Sequence, residues 1–183
     1  MRIISGKYRS RKIETLNDLS IRPATDRVKG AIFNSLQSRI DLNGANVLDL
    51  FAGSGNIGLE ALSRGAQKIV FVENSKYAIE VINKNISSLN ENENCDVIEI
   101  SFEQFLKINS IEFDLVFADP PYVYSDLNKL PKMIFFSKIV KQNGLLVIEH
   151  PITTKFETDE IFECIRSANY GRTVVSIFQR KEN

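Results

Sequence analysis

The stretch Asp119-Pro120-Pro121-Tyr122 combines residue types that suit the binding of an amino group. It follows an apolar run over 113–118 that is typical of a buried strand. Proline cannot donate to a sheet ladder, so the two prolines force the backbone out of the sheet. The Asp119 carboxylate and the Pro120 carbonyl then form a fixed pair of acceptors for the two protons of a flat amine. The Tyr122 ring offers a surface for stacking a planar base. Taken alone, these residues also fit a simple turn that ends a strand.

A glycine-rich turn earlier in the chain has the pattern of a nucleotide-binding fold. Gly53, Gly55 and Gly58 follow an apolar strand over 47–51 and open a helix, in the arrangement G-x-G-x-x-G. Glycines there permit a tight turn, close approach of a ligand, and close packing of helix on strand. Glu73 ends the next apolar strand, 20 positions after Gly53. A carboxylate at that spacing reaches ribose hydroxyls, so the sequence predicts a nucleoside-binding half-fold.

Strands and helices alternate along the chain, which predicts an α/β fold with a doubly wound, mostly parallel sheet of seven strands. We expect parallel strands over 47–51, 69–73, 96–100, 113–118 and 145–149, and a closing antiparallel pair over 161–168 and 173–178. We expect helices over 26–38, from the glycine turn to near Gly65, over 75–89, after Phe102, and over 127–140 with Gly144 as its terminator. The turns after the first and fourth strands should meet at one crevice, because these strands are neighbours at the switch point of such sheets.

The N-terminal region is basic although the whole chain has no net charge. Residues 1–30 carry eight basic and three acidic side chains, a net charge of +5, which leaves −5 for the remainder. Residues 5–7, Ser-Gly-Lys, fit a hairpin turn. We therefore predict a basic hairpin arm over 1–22 and a ligand-binding domain over 23–183. The cations expected to contact nucleic-acid phosphates are Arg9, Arg11, Lys12, Arg22 and Arg27. A solvated surface ribbon is the alternative interpretation.

Composition excludes several protein classes. The 183 residues are 43% hydrophobic and 25% charged, with no apolar run long enough to span a membrane and no signal-peptide core in the first residues. We therefore expect a cytoplasmic protein with no membrane partner. Cys95 and Cys164 lack the spacing of metal ligands and are interpreted as reduced core residues, and His150 is the only histidine. No metal site is predicted.

Two motifs together carry a family resemblance. Asp49-Leu-Phe-Ala-Gly-Ser-Gly with Asp119-Pro-Pro-Tyr resembles the class I S-adenosylmethionine-dependent methyltransferases that act on amino nitrogens. The segments Arg2-Ile-Ile-Ser-Gly-Lys-Tyr-Arg and Arg22-Pro-Ala-Thr-Asp-Arg-Val-Lys-Gly-Ala-Ile-Phe-Asn narrow this to the RsmD family, the bacterial 16S ribosomal RNA guanine-N2 methyltransferases. The resemblance extends along the whole chain. It implies a Rossmann-like fold and S-adenosyl-L-methionine as cofactor. It also implies a guanine N2 of 16S rRNA, guanine 966, as acceptor, with a free rRNA or a 30S subunit as partner.

The same resemblance implies a role for individual residues. Asp49 and the turn 51–55 would hold the methionine part of the cofactor, and Glu73 would bind the ribose hydroxyls. Ser101 and Phe102 lie where the family contacts the adenine, although many relatives have an acid at the position of Ser101. The implied cofactor-binding set is Asp49, Phe51, Ala52, Gly53, Ser54, Gly55, Gly58, Glu73, Asn74, Ser101, Phe102 and Asp119. The implied catalytic set is Asp119, Pro120 and Tyr122, and Tyr122 would also contact the RNA by stacking on the base.

Three other functions compete with this interpretation. A dinucleotide-dependent oxidoreductase fits the glycines and Glu73, but it has no use for Asp49 or for the Asp-Pro-Pro-Tyr stretch. A methyltransferase for adenine N6 in DNA, or for a protein glutamine, more often has Asn in place of Asp119. A module that binds the cofactor without chemistry would not need an intact Asp-Pro-Pro-Tyr.

Overall fold

The structure is a computed structural model that describes residues 1–16 and 26–181. The helices are α1 (Asp26–Leu36), α2 (Asn56–Ser63), α3 (Lys76–Leu89), α4 (Phe102–Ile108) and α5 (Leu130–Phe136), and a single 3₁₀ turn, Leu127–Lys129, precedes α5. The strands are β1 (Asn46–Leu50), β2 (Lys68–Glu73), β3 (Cys95–Glu99), β4 (Phe113–Ala118), β5 (Val140–Pro151), β6 (Phe162–Tyr170) and β7 (Thr173–Arg180). No described helix is long and apolar enough to cross a membrane.

The seven strands form one sheet in the order β3-β2-β1-β4-β5-β7-β6. The first five strands along the chain pair in parallel, and β7 runs antiparallel to both β5 and β6. The predicted doubly wound α/β fold with a closing antiparallel pair is therefore confirmed. The strand order reverses between β1 and β4, which places the switch point where the glycine turn and the Asp119 turn both leave the sheet.

Each face of the sheet is buried under helices. Val47, Leu115 and Val147 lie in one apolar core with side chains of α1, α2 and α3. Leu48 and Val116, the next residues along β1 and β4, lie in the second core under α4 and α5. Successive side chains of a strand alternate between faces. The position of an acid along its strand therefore decides on which face of the sheet its side chain lies.

The N-terminal segment is docked on the domain rather than projecting from it. Arg2 and Lys12 form an isolated antiparallel bridge instead of two regular strands. The Glu60 carboxylate on α2 accepts hydrogen bonds from the backbone N–H groups of Ile4 and Ser5, at 2.7 and 3.0 Å. Gly6 has φ of +83°, and a Cβ there would lie 1.7 Å from a backbone oxygen of α2, so only glycine fits this turn.

A buried lysine joins the N-terminal segment to the start of α2. The Lys29 side chain is fully buried and forms an ion pair with Glu60 at 3.3 Å. Its Nζ donates to the Arg2 carbonyl at 2.7 Å and to the Asn56 side-chain oxygen at 2.6 Å. Burial lowers the pKa of Lys29, and the charge of Glu60 opposes that shift. Since a buried charge needs such partners, α1, the N-terminal segment and the first residue of α2 are held as one unit.

Two sequence predictions are wrong: the extent of the helix over 127–140 and the burial of Cys164. The helix predicted over 127–140 ends at Phe136, and β5 begins at Val140, before the expected terminator Gly144. Lys138 has φ of +59°, which stops the helix, and Gly144 lies within β5 where a Cβ would meet the Phe113 carbonyl at 2.9 Å. Cys95 is buried as predicted, whereas Cys164 is exposed because β6 is the edge strand of the sheet.

Candidate active site

The turn after β1 has the backbone shape that the glycine pattern predicts. Phe51, Gly53 and Gly55 have φ of +57°, +57° and +74°. A Cβ on Gly58 would lie 2.4 Å from the Phe71 ring, so this glycine permits α2 to pack against β2. A Cβ on Gly53 would meet no atom closer than 3.9 Å. The outer side of the turn therefore has room for a ligand to approach the backbone.

Asp49 is buried beneath this turn. Its Oδ2 accepts a hydrogen bond from the Gly58 backbone N–H at 2.9 Å, in the first turn of α2. Burial raises the pKa of Asp49 to about 7, the Gly58 hydrogen bond opposes the shift, and the negative charge of Glu73 adds to it. Asp49 therefore holds α2 against β1, and it adds negative charge to the floor of the crevice when it is ionised.

Glu73 joins the end of β2 to the glycine turn. Its Oε2 accepts a hydrogen bond from the Gly53 backbone N–H at 2.8 Å. Its Oε1 accepts from the backbone N–H groups of Asn74 and Ser75, each at 2.9 Å. Because a carboxylate has about four acceptor positions, this fixed side chain can still accept hydrogen bonds from a ribose diol.

An aromatic cluster lies beside the turn. The Phe51 ring lies 5.1 Å from the Phe102 ring and 5.7 Å from the Tyr124 ring, measured between centroids. The Tyr124 hydroxyl donates to Glu103 at 2.8 Å. Phe102 is buried, so it supports the cluster from behind. No sequence pattern indicated Tyr124, which lies two residues beyond the Asp-Pro-Pro-Tyr stretch.

Ser101 begins α4 as its N-cap. Its hydroxyl oxygen accepts from the Gln104 backbone N–H at 3.3 Å, and the Gln104 side chain accepts from the Ser101 backbone N–H at 3.4 Å. This reciprocal pair is a capping box. The Ser101 side chain is therefore engaged with its own helix at the position where the resemblance implies an adenine contact.

The Asp-Pro-Pro-Tyr corner and the glycine turn share one crevice. Leu50 pairs with Ala118 as the last residues of β1 and β4, and the Asp119 N–H lies 3.5 Å from the Leu50 carbonyl. Asp119 keeps some solvent-exposed surface although protein atoms surround its carboxylate, and no described residue donates a hydrogen bond to that carboxylate. Desolvation within the crevice, then the charges of Glu149 and Asp49, raise the pKa of Asp119 well above its ordinary value.

Tyr122 closes the far side of the crevice. Its hydroxyl lies 2.7 Å from the Thr173 Oγ1 at the start of β7. The residue as a whole remains 51% exposed. Asp119 and Pro120, at the end of β4, form what we call the Asp119 corner. A base that entered between the Tyr122 ring and the glycine turn would meet this corner.

Glu149 is a candidate site residue that the sequence interpretation missed. β4 and β5 pair through Ala118 and Ile148, so Asp119 and Glu149 occupy the next position on adjacent strands. Glu149 is half-buried, and burial raises its pKa to about 7. The sequence contains a signal for this residue, since Glu149 follows the apolar run over 145–148 as Glu73 follows the apolar run over 69–72.

The predicted nucleic-acid contacts are distributed along the domain. Arg9 and Lys12 are exposed, and neither forms a hydrogen bond or an ion pair with a described side chain. Arg11 donates to the Ser88 carbonyl near the end of α3 at 2.7 Å. Arg27 is exposed in the first turn of α1, and Arg22 lies outside the described residues.

The N-terminal segment runs along α2, with the Arg2–Lys12 bridge near the start of that helix and the turn around Lys7 near its end. Arg2, the bridge partner of Lys12, forms an ion pair with Asp26 at the start of α1. The backbone N–H of Lys7 donates to the Ser63 carbonyl at the last residue of α2, at 2.7 Å. Since α2 starts at the crevice and runs away from it, Lys12 lies nearer the crevice than Arg9 does.

The acids of the crevice suit a cationic ligand. Asp49 and Asp119 carry the negative charge of the crevice, together with Glu149. Among the residues that the structure describes, no group of three or more His, Cys, Asp or Glu side chains is arranged to hold a metal. A sulfonium compound with a ribose fits this donor set, because the acids complement its charge and Glu73 offers acceptors for its hydroxyls.

Comparison with known proteins decides the family. The family model described as Conserved hypothetical protein 95 matches residues 1–179. The chain belongs to this family. The match confirms the resemblance to RsmD. A relative from Haemophilus influenzae, named Ribosomal RNA small subunit methyltransferase D, is 35% identical over 182 residues, which are 98% of this chain and 93% of that protein. The protein of the same name from Escherichia coli K12 is 32% identical over 182 residues, 99% of this chain and 90% of that one.

Two solved bacterial structures share the whole fold. The yhhF protein of Escherichia coli superposes with a TM-score of 0.86 at 28% identity, over 100% of this chain and 99% of that one. The HI0767 protein of Haemophilus influenzae gives 0.82 at 32% identity, over 99% and 98% of the two chains. A more distant fold relative, SMU.776, was solved in complex with SAH; it gives 0.70 at 15% identity and covers 95% of this chain and 52% of that one.

Proposed function

We propose that this protein transfers a methyl group from S-adenosyl-L-methionine to the exocyclic N2 of a guanine in 16S rRNA. The observation that carries this proposal is the position of the Asp119 corner beside the glycine turn, on neighbouring strands of one sheet. Family members named Ribosomal RNA small subunit methyltransferase D support the substrate class. By the family resemblance, the target is guanine 966.

The residues around the glycine turn would bind the cofactor. Glu73, already fixed by the Gly53 N–H, would accept hydrogen bonds from the ribose hydroxyls. The turn 51–55 and Asp49 would hold the methionine part, and the aromatic cluster of Phe51, Phe102 and Tyr124 would lie against the adenine. When bound, the cofactor supplies an electrophilic methyl group on a positively charged sulfur. The crevice acids favour that charge.

The Asp119 corner would orient the acceptor nitrogen. The N2 lone pair of guanine is delocalised into the ring, so the free amine is a poor nucleophile. If the Asp119 carboxylate and the Pro120 carbonyl each accept one amine proton, the nitrogen becomes pyramidal and its lone pair points at the methyl group. The negative Asp119 also stabilises the positive charge that develops on nitrogen and can take up the proton that leaves. Tyr122 would hold the base by stacking.

The rRNA would be held by cations outside the crevice. The target base must leave its stack to reach the Asp119 corner, which costs a few kcal/mol. Contacts to the RNA backbone from Arg27 on α1, and from Lys12 and the other cations of the basic arm over 1–22, offset that cost. Arg22 belongs to the same predicted set. Such an enzyme works in the cytoplasm, on free 16S rRNA or on a 30S subunit.

Incubation with methyl-labelled cofactor tests the proposal. Naked 16S rRNA, 30S particles, duplex DNA and a protein extract are offered as separate acceptors. We expect label in 16S rRNA, in free or assembled form, at the N2 of a single guanine located by nuclease digestion and mass spectrometry. Label on adenine N6 in DNA or on a protein glutamine would refute the substrate class. Cofactor binding without transfer to any acceptor would refute the enzymatic role.

A further inference from the structure

Glu149 lies beside the acid that would hold the reacting amine. The pairing of Ala118 with Ile148 places Asp119 and Glu149 at the same level on adjacent strands, and adjacent strands lie about 4.8 Å apart. Phe117 and Val147 both face the core under α1, α2 and α3, so the alternation of side chains puts both acids on that face. The two carboxyl groups therefore point into one region of the crevice.

Neither acid has a protein donor that would explain its position. In the part of the chain that the structure describes, no lysine or arginine forms an ion pair with Asp119 or Glu149, and no donor forms a hydrogen bond to either carboxyl group. The neighbour of Glu149 on β7 is Val175, which is apolar. Adjacent carboxylates destabilise each other unless a donor lies between them. A ligand that binds here would therefore have to supply the donor groups that the two carboxyl groups lack.

We propose that Glu149 selects guanine by accepting the hydrogen bond of its N1–H while Asp119 accepts from the neighbouring N2 amine. This inference rests on the proposed function. Guanine presents N1–H and the N2 amine side by side on its Watson–Crick edge, which is a pair of adjacent donors. The two carboxyl groups on β4 and β5 are a pair of adjacent acceptors. Each charged acceptor then faces one donor of the base.

The same contact would reject other bases. Adenine has an unprotonated N1, so its lone pair would face the Glu149 carboxylate and repel it. A site whose buried polar group is left without a partner discriminates more strongly than one that only measures shape. Glu149 would therefore determine the identity of the base, whereas Asp119 and Pro120 position its amine.

RNA containing 2-aminopurine at the target position separates these two roles. This base keeps the N2 amine but has an unprotonated N1. We expect the wild-type enzyme to prefer guanine to 2-aminopurine in kcat/KM by roughly tenfold to hundredfold, the range for a hydrogen bond to a charged group. Glu149→Gln can donate to the unprotonated N1, so its preference should fall at least about fivefold, through slower reaction with guanine and faster reaction with 2-aminopurine.

Matched variants keep the test independent of folding. Glu112→Gln changes an exposed acid before β4, at the opposite end of the sheet, and should leave the ratio unchanged. Glu149→Asp retains the charge, so it should lower kcat/KM but keep the preference for guanine; this variant decides the question if Glu149→Gln does not fold. A folded Glu149→Gln with the wild-type ratio, or a Glu149→Asp that has lost the preference, would overturn the inference alone. A wild-type enzyme that methylates no guanine would overturn the proposed function together with it.

Discussion

The Glu73 carboxylate and the Gly53 backbone N–H are joined by a hydrogen bond of 2.8 Å that links the end of β2 to the turn after β1. The residues are 20 positions apart, and the parallel pairing of β1 with β2 brings them together. One acid therefore shapes the glycine turn and also presents its remaining acceptor positions to the crevice. A change at Glu73 should alter cofactor binding through both effects.

Glu73→Gln should weaken the binding of S-adenosyl-L-methionine. The amide oxygen can still accept from Gly53, but the side chain loses an ionised acceptor for the ribose diol. A hydrogen bond to a charged group contributes about 1.5–3 kcal/mol, so we expect the dissociation constant to rise roughly tenfold to hundredfold in calorimetric titration. Glu80→Gln, on the exposed face of α3, is the control. Equal affinities for the two variants would remove Glu73 from the cofactor site.

Asp119→Ala should abolish methyl transfer and leave cofactor binding largely intact. The variant removes the carboxylate that holds an amine proton and stabilises the developing charge. We expect kcat to fall by at least about 100-fold, the usual cost of losing one oriented group that stabilises a transition state. Single-turnover rates with labelled cofactor measure the chemical step, and a titration measures binding. A variant that methylates RNA near the wild-type rate would show that Asp119 does not have the assigned role.

The sequence predicted the two turns well because their constraints are local. Prolines must leave a sheet, and glycines of positive φ mark a tight turn. The order of strands followed from the rule for doubly wound sheets, so the meeting of Asp119 with the glycine turn was predictable. The prediction of a helix over 127–140 was wrong at its end, because the apolar residues there fit a helix and a buried strand equally well. Only the pairing of Val140 with Phe113 decides that Val140 begins a strand.

Contacts that depend on strand register could not be predicted from the sequence. Glu149 lies 30 positions beyond Asp119, and their proximity follows only from the pairing of Ala118 with Ile148. The docking of the N-terminal segment depends on Lys29 and Glu60, which are polar residues on helices that sequence patterns place at the surface. Their burial becomes visible only when α1, α2 and the segment pack together.

The position of each cation along the domain predicts its contribution to RNA binding. Lys12 and Arg27 lie near the crevice end, whereas Arg9 lies toward the far end and Arg11 is held by the Ser88 carbonyl. Changing Lys12 and Arg27 together to Ala should reduce the slope of log affinity against log salt by roughly 1.5–2, as expected for two lost phosphate contacts.

Two further variants complete the comparison of cations. Arg9→Ala should change the slope by less than the Lys12 and Arg27 pair does, since it lies farther from the reacting base. Lys107→Ala, on α4 at the other face of the sheet, should leave the slope unchanged. Filter binding at several salt concentrations measures all of them. If the Lys12 and Arg27 pair gives the wild-type slope, these residues return to the solvated-surface interpretation.

Asp49→Asn should stabilise the fold at neutral and higher pH while it weakens cofactor binding. The Asp49 pKa is raised from 3.8 to about 7 by burial, so the folded state binds a proton that the unfolded state releases between these values. As pH rises through that range, Asp49 lowers the free energy of unfolding. Asparagine carries no charge and its oxygen can still accept from the Gly58 N–H. The gain in stability should be small below pH 4 and on the order of 2–4 kcal/mol above pH 7. Urea unfolding of the wild type and of Asp49→Asn at pH 5 and pH 8 measures this gain. If the difference in free energy of unfolding between the two proteins does not grow with pH, the buried Asp49 carboxylate does not destabilise the fold.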